Sequence, residues 1–202
     1  MLVVGLTGSI AMGKSAVGRM FTSLGAPVFD ADVAVREIYA GPRAQAVDAM
    51  FPGVLGEEGV DREKLAKRVL GDKDALRRLE GLVHPEVEKA RLSFFAAARR
   101  AGLRLVVVDV PLLFETGGHA SVDLVAVVTA GEDVQRARAL ERPGMTHGKL
   151  KQILSNQMDD AEKRRRAHVV IDTNCSLDDT REQVRQFLRA AAAMAEGKVG
   201  HA

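Results

Sequence analysis

The chain is 202 residues long, enough for one domain with an inserted subdomain and for a substantial core that needs no oligomer to support it. Its formal net charge of +2 carries no electrostatic footprint of nucleic-acid binding, so basic residues are read locally, as ligands for a charged small molecule. Cys175 is the single cysteine, which excludes an intrachain disulfide and a cysteine-built metal cluster and fits a reducing cytoplasm.

The apolar run Leu2-Val3-Val4-Gly5-Leu6 is too short for a membrane span and lacks the basic flank of a signal peptide. The expectation is a cytoplasmic protein with neither membrane nor nucleic acid as partner, a monomer or a small homo-oligomer. The run reads as a buried strand, and it leads into Gly8-Ser9-Ile10-Ala11-Met12-Gly13-Lys14-Ser15, the pattern GxxxxGKS. Gly8 and Gly13 let backbone N–H groups turn inward and approach a polyphosphate with no Cβ in the way. Lys14 and Ser15 then open a helix, so that a dipole, an ammonium and a Mg²⁺-binding hydroxyl converge on one anion. The dinucleotide fingerprint GxGxxG is absent, which argues against a nicotinamide or flavin enzyme.

Beyond the loop, Val17, Met20, Phe21 and Leu24 recur at helical spacing, Gly25 ends that helix, and residues 26–29 read as a second strand. Asp30-Ala31-Asp32 follows, and another helix starts near Val33. A strand–loop–helix–strand opening predicts a parallel sheet with right-handed crossovers. Residues 33–100 are helical in pattern and show no strand; they predict an inserted substrate-binding subdomain in which His84-Pro85 kinks one helix or starts another. Residues 103–108 form an apolar, β-branched run that ends in Asp109, as a central parallel strand would. Residues 124–128 and 169–171 supply further strands. Residues 134–140 predict a helix exposing Arg136, Arg138 and Arg142, and residues 145–158 a second, which together form a lid over about 138–160. The charged stretch 159–166 reads as solvated helix surface. An amphipathic helix over 177–194 closes the chain, and the tail after Glu196 is expected to fray.

With these pieces in place the chain resembles the dephospho-CoA kinase family along nearly its full length. The resemblance lies in residues 5–15, in Asp30-Ala31-Asp32, in His84-Pro85 and in Asp109-Val110-Pro111-Leu112-Leu113-Phe114-Glu115. It continues through Gln135, Arg138 and Arg142, spaced QxxRxxxR, and through Gln157. It implies an α/β P-loop kinase fold, a parallel sheet flanked by helices, with a core of about 1–32 and 101–202, a helical acceptor-binding insert of about 33–100 and a helical lid. It further implies transfer of the γ-phosphoryl group of ATP, with Mg²⁺, to the 3′-hydroxyl of dephospho-CoA. By that resemblance Gly8, Ser9, Ile10, Ala11, Met12, Gly13, Lys14, Ser15, Ala16 and Arg142 bind ATP. Asp32, Lys14, Arg138 and Arg142 are the catalytic set, with Asp32 taking the proton of the acceptor hydroxyl. The acceptor falls to Asp30, Asp32, His84, Leu112 and Phe114, and Mg²⁺ to Ser15 and Asp109.

Plainer roles stand beside these. Asp30 and Asp32 also suit a helix N-cap and first turn. Asp109 also suits a strand-end cap, and His84 a structural place before a helix-starting proline. Three positions depart from the family pattern: Ser9 where glycine is common, Met12 where a small residue is common, and Thr173 where the asparagine of Ile-x-Asn is usual, with Asn174 one residue on. Another small-molecule P-loop kinase, of the nucleoside monophosphate or shikimate type, shares the generic features. A nucleotide switch of the GTPase type does not, because no Asn-Lys-x-Asp motif occurs.

Overall fold

The computed structural model describes residues 1–199. The elements in chain order are β1 (Leu2–Thr7), α1 (Lys14–Ser23), β2 (Val28–Asp30), α2 (Ala31–Ala40), α3 (Ala44–Met50), β3 (Leu55–Gly56) and β4 (Gly59–Val60). They continue with α4 (Arg62–Val69), α5 (Lys73–Arg100), β5 (Leu105–Asp109), β6 (Leu124–Thr129), α6 (Glu132–Leu140), α7 (His147–Ser155), α8 (Asp160–Arg166), β7 (Val169–Asp172) and α9 (Leu177–Val199). The chain divides into two compact units, Met1–Phe29 with Ala98–Ala202, and Asp30–Ala97.

A five-stranded sheet in the order β2-β5-β1-β6-β7 organises the first unit. β1 lies at its centre and pairs in parallel with β5 on one side, Leu6 opposite Asp109, and with β6 on the other, Leu6 opposite Ala126. Both faces of these strands are covered, which is why β6 is buried at every position and β5 reads Leu-Val-Val-Val-Asp rather than alternating. β5 starts two residues later than its apolar pattern suggests and takes in Asp109 as its last residue. Val17, Met20 and Phe21 of α1 pack under β1 with Val184, Phe187 and Ala191 of α9, and the Phe21 and Phe187 rings meet edge to face at 6.0 Å. α9 runs past the expected Met194 to Val199; the end of the tail expected to fray lies outside the described residues.

The second unit has its own core of Val47, Phe51, Val54, Leu65, Leu79 and Val83. Two features differ from the sequence pattern. β3 and β4 form a small antiparallel hairpin, Leu55 opposite Val60 and Gly56 opposite Gly59, where no strand is expected; two-residue strands are too short to show a period. The carboxylate of Asp48 holds the segment leading into β3 by accepting the N–H groups of Gly53, Val54 and Leu55 at 2.9 to 3.2 Å. α5 runs unbroken through Pro85 instead of ending there. The proline removes one i→i−4 bond, but Val83 and Val87 on either side of it both pack into this core.

Candidate active site

The phosphate loop leaves the C-terminal end of β1, the edge of a parallel sheet where ligands bind. A Cβ on Gly8 would sit 2.5 Å from the Val128 carbonyl oxygen, and one on Gly13 would meet Thr173 at 3.0 Å from a backbone with φ of 92°. Only glycine fits either place. Gly13 caps α1 with no side-chain hydrogen bond, so the first N–H groups of that helix remain available to an anion. Ala11 also adopts a left-handed φ, 63°, and its side chain is buried with Ala139 and Leu150.

Groups from four other segments, three side chains and one backbone N–H, fix the loop. Gln157 Oε1 accepts the Ile10 N–H at 3.0 Å, while Gln135 Nε2 donates to the Ile10 carbonyl at 2.8 Å. The Ala130 N–H donates to the Met12 sulfur at 3.0 Å. The Thr173 hydroxyl donates to the Met12 carbonyl at 2.9 Å. Arg138 in turn donates from Nη1 to the Thr173 hydroxyl and from Nη2 to the Thr173 carbonyl, both at 2.9 Å.

Lys14 Nζ forms an ion pair with Asp109 Oδ1, both largely buried, across the neighbouring ends of β1 and β5. The Thr7 hydroxyl ties the loop after β5 to β1 by donating to the Pro111 carbonyl at 3.0 Å. A cavity of about 390 Å³ opens here, lined by Gly8, Ser9, Ile10, Ala11, Met12, Gly13, Lys14, Ser15 and Ala16 together with Pro111, Arg138, Arg142 and Gln157. A second, of about 790 Å³, adjoins it through Ser9, Met12 and Gln157 and continues past Gly131, Asp160 and Asn174. The first unit therefore brings together the expected nucleotide residues, the carboxylate of Asp109 and both arginines.

The arginines differ from their expected helix face. α6 ends at Leu140, so Arg142 lies in the turn beyond it, and Arg138 is half-buried on Thr173 rather than free. Phe114 is 6% exposed and packs in the core with Leu113, Val125 and Val127, its ring against His119; Leu112, at 38%, is the one that offers an apolar face. The stretch 159–166 is not solvated throughout. Lys163 is fully buried against Glu115 at 2.9 Å, and Asp160 Oδ2 accepts the Thr129 hydroxyl at 2.7 Å.

In the second unit the strand ends at Asp30 and α2 begins at Ala31, so Asp30 and Asp32 do not lie two apart on one extended face. Asp30 is the N-cap: its Oδ1 accepts the N–H groups of Asp32 and Val33 at 2.8 and 3.1 Å. Asp32 stands exposed in the first turn with no hydrogen-bond partner for its carboxylate among the described residues. His84 is exposed on α5.

The sequence profile of dephospho-CoA kinase matches residues 2–179. The chain belongs to the dephospho-CoA kinase family. It is 52% identical to the dephospho-CoA kinase of Nitrobacter winogradskyi over 194 residues, covering 96% of this chain and 98% of that one. It is 53% identical to the dephospho-CoA kinase of Novosphingobium aromaticivorans over 190 residues, covering 93% and 94%. In structure it is similar to a crystallised protein of Thermus thermophilus, with a TM-score of 0.76 at 30% identity, 96% of this chain and 97% of that one. The fold is also that of dephospho-CoA kinase from Campylobacter jejuni, TM-score 0.67 at 23% identity, covering 94% and 96%.

Membership in the dephospho-CoA kinase family makes the chain a phosphotransferase and favours that reading over the nucleoside monophosphate and shikimate kinases. It also gives the departures a physical setting. Met12 fits because its side chain is buried, 2% exposed, with the sulfur on the Ala130 N–H. Thr173 faces the phosphate loop and anchors Arg138, whereas Asn174 lines the adjoining cavity beside Gly131. Gln135 and Glu115 have tasks that no motif spacing reveals, because their partners, Ile10 and Lys163, are remote in sequence.

Proposed function

We propose that the chain transfers the γ-phosphoryl group of ATP to the ribose 3′-hydroxyl of dephospho-CoA, giving CoA and ADP, in the cytoplasm and with Mg²⁺. The observation that carries this is the match to dephospho-CoA kinases at about half identity over nearly the whole of both chains. The cradle at Gly8 and Gly13, the uncapped start of α1 and the Lys14 ammonium support a bound triphosphate. The small net charge supports a small-molecule partner rather than nucleic acid. Among the described residues no helix is long and apolar enough to cross a membrane. We take the protein to act as a monomer or a small homo-oligomer.

Phosphoryl transfer asks the protein for position and charge neutralisation more than for covalent help. Lys14 turns from Asp109 to the phosphates when nucleotide binds, and Asp109 would serve with the Ser15 hydroxyl as an oxygen ligand for the metal. One hydroxyl and one carboxylate suit Mg²⁺, which takes hard oxygens, keeps waters and shares phosphate ligands; among the described residues no larger cluster of His, Cys, Asp or Glu exists to hold a metal. The bound ion would neutralise charge on the phosphates. Arg138 and Arg142, on the lid of residues 138–160, meet the charge that spreads over the transferring group. Asp32 takes the 3′-hydroxyl proton as the new oxygen–phosphorus bond forms and the bond from γ-phosphorus to the bridging oxygen breaks, releasing ADP. Asp30 positions α2 as its N-cap; Asp30 and His84 in the second unit, and Leu112 in the first, are the side chains read as acceptor contacts, and Phe114 belongs to the core. Phosphorus NMR of the product tests the reading: a phosphomonoester on the ribose 3′-oxygen is expected, and phosphate elsewhere overturns it.

A further inference from the structure

We propose that Lys163 and Glu115 are positioning residues, a buried strut that holds the phosphate loop in its nucleotide-binding shape through Met158 and Gln157. This rests on the reading of residues 8–15 as the site of the ATP phosphates.

Lys163 has no exposed surface, although it stands in a helix whose neighbours Arg164, Arg165 and Arg166 are exposed. Its Nζ lies 2.9 Å from Glu115 Oε1, and the same oxygen accepts the Met158 N–H at 2.7 Å. Glu115 Oε2 has no hydrogen-bond partner among the described residues. A buried ion pair is poor as a device for stability, since an apolar pair of similar volume commonly does as well or better. What it does supply is direction. Here it fixes the Met158 amide, hence the turn between α7 and α8, on the segment that follows β5. Gln157, the adjacent residue, reaches into the loop and takes the Ile10 N–H at 3.0 Å, while Gln135 holds the carbonyl of the same residue from α6. Ile10 is thus gripped on both its backbone groups, and one grip is anchored by a charge pair that lines neither cavity. Small misplacements of a positioning group cost heavily in rate and binding, which is the use for a strut of this kind.

The test uses the full chain as wild type, K163M, Q157M and the double variant, with steady-state kinetics for both substrates, ATP titration and thermal melting. K163M and Q157M are each expected to raise KM for ATP about tenfold while KM for the acceptor stays within about twofold. The double variant is expected to be little worse than the worse single, because both break one path. An unchanged KM for ATP in K163M, whatever its melting temperature, overturns the proposal, as do multiplicative effects or an equal rise in both KM values. If K163M does not fold, E115Q, which keeps an acceptor oxygen for Met158 but removes the charge facing Lys163, takes its place in the same cycle. Wild-type protein that fails to bind ATP would overturn the phosphate-site reading and the strut with it, whereas wild type that binds ATP beside a K163M variant with unchanged KM overturns the strut alone.

Discussion

In the proposed reaction Lys14 joins ground-state binding to chemistry, because its ammonium would exchange Asp109 for phosphate oxygens that are present before and during transfer. Lys14→Ala is therefore expected to weaken ATP binding and abolish turnover together, and an unchanged ATP titration would contradict it. Asp32 is a different case. Its carboxylate has no partner among the described residues, so Asp32→Asn is expected to keep fold and ATP affinity while turnover falls by about 10²- to 10⁴-fold, the usual size of a general-base contribution. Retention of more than half of wild-type turnover would remove Asp32 from that role. At Ala11 the left-handed backbone decides what is tolerated. Ala11→Gly relieves roughly 1–2 kcal/mol of strain but loses about 0.8 kcal/mol of methyl burial and about 0.5–1 kcal/mol to chain entropy, so it is expected to be nearly neutral. Ala11→Val adds β-branched strain and bulk at a buried site, about 2 kcal/mol or more, and should lower the melting temperature by roughly 4–8 °C. Equal melting temperatures for the two variants would contradict this. The spacing of Gly8, Gly13, Lys14 and Ser15 was legible in the sequence because each residue type is demanded by a local backbone or ligand geometry. The positive φ of Ala11 was not, since nothing about alanine signals it.

Among the elements, strands and helices with a long apolar period were legible, and those set by tertiary contacts were not. β1, β5, β6 and β7 stand where their apolar runs are; the first three, covered on both faces, are apolar nearly throughout, whereas β7 at the sheet edge is partly exposed. The β3–β4 hairpin has two residues per strand and no room for a pattern, and α5 passes Pro85 because packing on both sides outweighs one lost bond. α8 misled for another reason. Its alternating charges read as solvated, and only the remote Glu115 explains why Lys163 turns inward. Burial alone would push the Glu115 carboxyl up, but the Lys163 ammonium and the Met158 N–H outweigh it and hold it below the usual carboxylate value. A folded value below the unfolded one means that the pair's contribution is intact above about pH 4.5 and is lost as pH falls through the folded value. Melting temperature followed from pH 7 to pH 3 should thus fall less steeply below about pH 4.5 in E115Q than in wild type. Parallel acid limbs would show that the pair contributes nothing to that loss.

For the molecule as a whole, two compact units divide the proposed labour: nucleotide, metal ligands and lid in one, the general base and most of the acceptor contacts in the other. The family resemblance was legible over nearly the full chain, because the phosphate loop, the DAD, the HisPro and the DVPLLFE segments each survive as short local strings. The supports of the site were not, because Gln135, Gln157, Thr173 and Glu115 act on residues far from them in sequence. The most direct test of the central claim is ADP release with MgATP, measured with no acceptor and with dephospho-CoA, adenosine, nucleoside monophosphates and shikimate in turn. Fast release with dephospho-CoA, slow release with the others and little release without acceptor are expected, since the proposed lid is one that would close on both substrates and exclude water. Fast release with another acceptor, or equally fast release with none, would contradict it.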